Sequence, residues 1–191
     1  GHILFSHTHW DHIQGFPFFV PAYIPGNTFY VYGPGPRDQT AYELLSGQMA
    51  SSYFPVDFAE LGANIVSRQL QVGSTTIEDI KVSIIEQRHP GSSYGFKFEA
   101  NGSTAVYATD IELDLYLSDD GGMNQPAEAR RTMPDDLVAF ARDADLLIAD
   151  AQYTEDEYPT KVGWGHARAT TTVDWAIAAG VKTLALYHHD P

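Results

Sequence analysis

The chain has 191 residues, 43% hydrophobic and 19% charged, which fits a single globular domain with a core of its own. It has no cysteine, so a disulfide framework and a thiolate zinc site are excluded. Eleven basic against 25 acidic residues give a formal charge of −14, which opposes nonspecific binding to a polyanion and otherwise reads as a solubility feature.

No apolar run reaches the roughly 18 residues of a membrane span, and no secretory signal is visible. No membrane association and a cytoplasmic location are therefore expected. The chain opens without Met, in the apolar run Ile3-Leu4-Phe5, predicted as a buried strand. Directly after it comes His7-Thr8-His9-Trp10-Asp11-His12. Three imidazoles and a carboxylate within six positions form a dense set of nitrogen and oxygen ligands. Neutral imidazole and carboxylate suit zinc, iron or manganese. A strand end fixes such side chains, and the following loop leaves room for a substrate.

Phe16 to Tyr23 reads as a Pro-punctuated aromatic loop, and Phe29 to Tyr32 as a strand ended by the breaker Gly33-Pro34-Gly35-Pro36. Gln39 to Met49 is a predicted helix; Asn64 to Val72 and Thr76 to Glu86 are predicted strands. Tyr94 to Glu99 alternates apolar and polar, as a half-buried strand does. Asn101-Gly102 then signals a hairpin into Thr104 to Ala108. Met133 to Arg142 is a predicted helix capped by Thr132, with Pro134, Asp135 and Asp136 in its first turn. Leu146 to Ala149 is a short buried strand, Thr170 to Ala179 a helix closed by Gly180, and Val181 to Tyr187 a final buried strand. Strands first, then strands alternating with helices, point to packed sheets flanked by helices, an α/β or α+β fold.

One loop does not supply enough ligands for a two-metal site. His89, Asp110 and His188 each stand just past a predicted strand, repeating the placement of the first motif. A single His or Asp there serves more often as a turn or cap residue. Strand ends on one sheet edge can converge, however, and the joint pattern points to a site.

With these motifs in view, the chain resembles the metallo-β-lactamase superfamily. The likeness rests on His7 to His12, His89, Ala108-Thr109-Asp110, Trp164-Gly165-His166-Ala167 and His188-His189-Asp190-Pro191, in the family's order. Within the superfamily it looks most like the phosphodiesterase branch, which includes ribonuclease Z and cyclic phosphodiesterases; His12 to Phe19 is similar to proteins read as cyclic-nucleotide phosphodiesterases. The resemblance implies an αββα sandwich with a dinuclear site. His7, His9 and His89 would hold one divalent metal ion, Asp11, His12 and His188 the other, and Asp110 would bridge them. His188 is preferred to His189 because it directly follows the strand. Zinc is the expected metal, with manganese and iron as alternatives. The family has strands before its first histidine motif, so one domain, 1–191, cut at both ends and lacking those strands, is expected.

His166, in its Gly-His-small context, resembles that branch's general acid for the leaving group, a role suited to a pKa near neutrality. Ala167 stands where the family often has Ser or Thr. The expected catalytic residues are Asp11 and His166. Asp150 could orient a ligand histidine or cap the acidic turn after it. Trp10 and Phe16 to Phe19 could wall a substrate ring or pack in the core, and His2 has no assigned role. The implied activity is metal-dependent hydrolysis of a small phosphodiester, cyclic ones included, because an acidic chain without a basic arm speaks against a nucleic-acid polymer as partner. A lactonase, thioesterase or β-lactamase, or a noncatalytic metal-binding or sensor domain, are the competing readings. The oligomeric state is left open, a homodimer included.

Overall fold

The computed structural model describes residues 1–33, 39–91, 93–118, 125 and 129–190. The breaker residues Pro34 to Pro36 lie outside them. Two compact units divide the chain, Gly1–Gln71 and Val72–Pro191.

Unit 1 carries a three-stranded sheet in the order β1-β2-β3: β1 (His2–Leu4), β2 (Thr28–Gly33) and β3 (Asn64–Gln69). All pairings are parallel, so each connection must cross over. The first crossover holds the short helix α1 (Trp10–Ile13) and two 3₁₀ turns, Phe16–Phe18 and Val20–Tyr23. The second holds α2 (Ala41–Gln48). Thr40 caps α2 in a reciprocal box: its Oγ1 accepts from the Glu43 amide at 3.2 Å and Glu43 accepts from the Thr40 amide at 2.6 Å. Phe16, Phe58, Val31, Leu45 and Met49 pack as the core of this unit. Phe16 is therefore core, whereas Trp10 and Phe18 are exposed. The predicted buried first strand is only half-buried, because among the described strands β1 lies at one side of the sheet, paired with β2 alone.

Unit 2 is built on a six-stranded sheet in sequential order: β4 (Gly73–Ile77), β5 (Ile80–Gln87), β6 (Ser93–Ala100), β7 (Ser103–Ala108), β8 (Leu146–Asp150) and β9 (Leu184–Tyr187). β4 to β7 form an antiparallel meander, and β7 to β9 run parallel. The predicted strand from Thr76 to Glu86 is in fact two: Ile77 pairs with Ile80, and Glu78-Asp79 forms the turn. This pair lacks the Asn-Gly signature that marks the next hairpin at Asn101-Gly102, where both residues take positive φ. The parallel crossovers are α3 (Asp135–Ala141) and α4 (Ala169–Ala178). α3 starts two residues later than predicted, with Pro134 as its N-cap, because a residue before proline resists helical geometry and holds Met133 out. β9 is shorter than predicted and partly exposed, since it pairs only with β8 among the described strands. Trp175, Leu147, Leu113 and Ile111 fill the core, with the Trp175 indole N–H donating to Leu137 O at 2.9 Å.

β5 and β7 both run antiparallel to β6, and β8 and β9 run parallel to β7. The C-terminal ends of β5, β7, β8 and β9 therefore emerge on the same sheet edge.

Candidate functional site

In unit 1, β1 delivers the chain into Ser6 and His7, and the Phe5 amide still donates to Tyr32 O at 2.8 Å beyond the strand proper. His9 ends the extended segment as the N-cap of α1, with ψ at 151°. This turn folds the rings together. The His7 ring centroid lies 4.6 Å from that of His9 and 4.3 Å from that of His12. His7 is buried, and its Nδ1 lies 3.2 Å from Ser6 Oγ. His12 Nε2 lies 3.1 Å from Asp11 Oδ2. The predicted ligands His7, His9, Asp11 and His12 thus occupy one short turn.

In unit 2 the shared sheet edge carries His89 after β5, Asp110 after β7, Asp150 at the end of β8 and His188 after β9. His89 Nε2 is 3.8 Å and His188 Nε2 3.7 Å from Asp110 Oδ2. His166 joins them from the loop before α4: donor atoms of Asp110, His166 and His188 all lie within 4.8 Å of one another. Its ring stacks on His188 at 4.6 Å and 18°. Asp110 and His188 both adopt left-handed backbone, at φ 56° and 63°. That conformation is costly for non-glycine residues and is retained most often at functional sites. His189 is exposed.

The hydrogen bonds fix each imidazole. His89 Nδ1 is 2.9 Å from the carbonyl of Gly165, which can only accept, so Nδ1 carries the proton and the lone pair is on Nε2. His188 Nδ1 donates to Gln152 Oε1 at 3.0 Å, while Gln152 Nε2 donates to Asp190 at 3.3 Å, consistent with that amide orientation. His166 Nδ1 donates to Asp150 Oδ2 at 2.7 Å. Asp150 Oδ1 is occupied by the amides of Ala167 and Gln152, at 2.9 and 3.2 Å. Asp150 is completely buried. Burial pushes its carboxyl up from the ordinary value, and the His166 bond pulls the other way. Tyr153 packs edge-on to His166, with its own phenol pushed up to about 12 by burial and by Asp190 and Asp150. His89 and His188 therefore turn Nε2 toward Asp110, the tautomer and outer bonding that metal ligation needs. This donor set, imidazole and carboxylate oxygen without thiolate, fits a divalent transition metal.

Several residues that the sequence did not flag hold this arrangement. Gln152 orients His188. Glu112, buried two residues past Asp110, accepts from Tyr158 Oη and from the amides of Gly163 and Gly165. Arg168, just after His166, is buried on Asp114, with Nε at 2.8 Å from Oδ1, and reaches Glu155 at 2.9 Å. Arg131 meets the same Glu155 at 2.6 Å and Asp174 at 3.3 Å. No spacing rule exposes such partners, because each pairs residues 13 to 54 positions apart.

Residues 1–189 match the family described as the Beta-lactamase superfamily domain, and the chain belongs to that family. It thus falls in the class of metallo-hydrolases that its relatives define. Among curated proteins it is similar to ribonuclease Z of Halobacterium salinarum, 24% identical over 97% of this chain and 69% of that protein. Among solved structures, human tRNase Z, short form, gives a TM-score of 0.67 at 19% identity, covering 99% of this chain and 72% of that one. The metallo-beta-lactamase fold protein YhfI from Bacillus subtilis gives 0.65 at 19% identity, covering 100% of this chain and 64% of that one. The α/β metallo-β-lactamase fold is therefore the observed one, and the chain spans about two thirds of the length of these relatives.

These relatives correct one expectation. The acidic composition points to a small-molecule phosphodiester partner and makes a nucleic-acid polymer the less favoured one; the relatives are by name a ribonuclease and a tRNase. The inference failed because net charge sums over the whole chain, whereas polyanion recognition depends on local potential. Several of the acidic residues, Asp114, Glu155 and Asp174 among them, are moreover offset by buried arginines. Among the described residues no helix is long and apolar enough to cross a membrane.

Proposed function

We propose that this domain hydrolyses phosphodiester bonds of a nucleic-acid substrate, using two divalent cations and a histidine acid. In this reading His7, His9 and His89 hold one cation, Asp11, His12 and His188 the other, and Asp110 serves both. Zinc suits the donor set best, with manganese and iron as alternatives. A cation pair so held supplies acidification of water and neutralisation of phosphate charge. The remaining work falls to side chains. Asp11, the second expected catalytic residue, contributes through its carboxylate as a ligand. His166 donates a proton to the departing oxygen, and Asp150 keeps its Nδ1–H in place and stabilises the imidazolium form before transfer.

The single observation that supports this most strongly is the Asp150–His166 pair, 2.7 Å apart, beside Asp110 and His188. The same closeness favours a second reading, in which His166 is itself a metal ligand. His166→Ala separates the two. As a general acid its loss lowers kcat about 10²–10⁴-fold with metal content unchanged; as a ligand, metal content falls with activity. The assay uses a single-stranded oligoribonucleotide, a transfer-RNA precursor and bis(p-nitrophenyl) phosphate. Metal-replete protein that turns over none of the three contradicts the phosphodiesterase reading.

A further inference from the structure

We propose that Glu112 is a positioning residue that holds the His166 loop, and through it His89, in working geometry. The proposal rests on the reading of His166 as the acid. Glu112 is 1% exposed. A buried carboxylate is unfavourable unless its oxygens are satisfied. Among the described residues its donors come from one segment: Tyr158 Oη at 2.8 Å and the Gly163 amide at 2.6 Å on Oε1, and the Gly165 amide at 2.7 Å on Oε2. The segment ends at His166.

Residue 165 is gripped from both sides. Its N–H is bound by Glu112 and its carbonyl accepts the His89 Nδ1–H. It has φ +94°, and a Cβ there would run into the His89 ring and Pro90, so only glycine fits. Glu112 is in turn tied to the other end of the arrangement, since its own amide donates to Arg88 O at 2.8 Å, one residue before His89. One carboxylate thus links the segment after β7 to the residue that precedes the acid and to the carbonyl that sets the His89 tautomer. Proton transfer tolerates little misplacement of the acid, so this grip bears on rate as well as on stability.

The test is Glu112→Gln, which keeps the shape but turns an NH₂ group toward either Gly165 N–H or the Tyr158 and Gly163 donors. A poor leaving group needs the acid, whereas p-nitrophenolate does not. The expected result is a loss of about 30-fold or more in kcat on an oligoribonucleotide and within about threefold on bis(p-nitrophenyl) phosphate, the signature His166→Ala should also give. Tyr158→Phe, which spares both backbone contacts, should leave the two rates close to wild type. Equal loss on both substrates in E112Q, with H166A selective, overturns the positioning role and leaves the acid intact. If H166A itself is not selective, the acid reading fails, and the His89 and His166 ring N–H resonances decide on Glu112: shifted in E112Q, they support it; unmoved, they overturn it. Should E112Q not fold, amide exchange in the wild-type protein serves. Protected Gly163 and Gly165 amides support the grip, and unprotected ones overturn it.

Discussion

Unit 1 gathers His7, His9, Asp11 and His12 within one six-residue turn, and a single change from extended to helical backbone at His9 brings the rings of His7, His9 and His12 together. Unit 2 draws His89, Asp110, His166 and His188 from separate strand ends and a loop. There the imidazoles are held by groups that are not themselves candidate ligands: the Asp150 and Gln152 side chains and the Gly165 carbonyl. The difference is between a site written by local spacing and one written by topology. In the first, the backbone turn at His9 brings the rings together. In the second, parallel strand direction brings the residues to one edge, and hydrogen bonds at ring nitrogens then set their roles.

The contrast can be broken by removing an outer partner in unit 2. Asp150→Asn keeps the shape but removes the charge that balances a protonated His166. Activity should fall about 10- to 100-fold, with metal content near wild type. An unchanged rate would mean that the backbone of the His166 loop orients the ring without Asp150. The expected effects of Thr40→Ala and Glu155→Gln are smaller and lie in stability. Thr40→Ala should cost about 1 kcal/mol by chemical denaturation through loss of the α2 cap, with no change in metal content, since α2 carries no candidate ligand. Glu155→Gln sharpens the account of unit 2. Burial alone would raise the Glu155 carboxyl, but Thr170, Arg168 and Arg131 together hold it below its ordinary 4.5. A depressed carboxylate contributes stability that is present above the unfolded value and is lost as pH falls through the folded one. Wild type should therefore lose stability between about pH 5 and pH 3 more steeply than E155Q. Equal slopes in pH-dependent melting would show that the Arg131–Glu155–Arg168 network contributes nothing to folding.

The same contrast explains what was legible in the sequence. The His7 to His12 motif needed only spacing, and the strand ends preceding His89, Asp110 and His188 needed only hydrophobic patterning. The hairpin at Asn101-Gly102 was visible because its turn chemistry is specific, whereas the Glu78-Asp79 turn was hidden inside a β-prone run. Asp150 was recognised as a candidate outer residue but not as the partner of His166, sixteen positions away. Glu112 and Gln152 were invisible, since nothing local distinguishes a buried acceptor from a surface one. Composition misled in one respect: a charge summed over all residues was taken as a guide to a partner that local charge selects.

The proposed function requires that the imidazole and carboxylate donors hold divalent cations. Elemental analysis of protein purified without added metal tests it most directly. The account predicts about two divalent ions per chain, falling to about one in His89→Ala. A preparation that is folded, yet holds no metal and takes up none on dialysis against zinc or manganese, would contradict it.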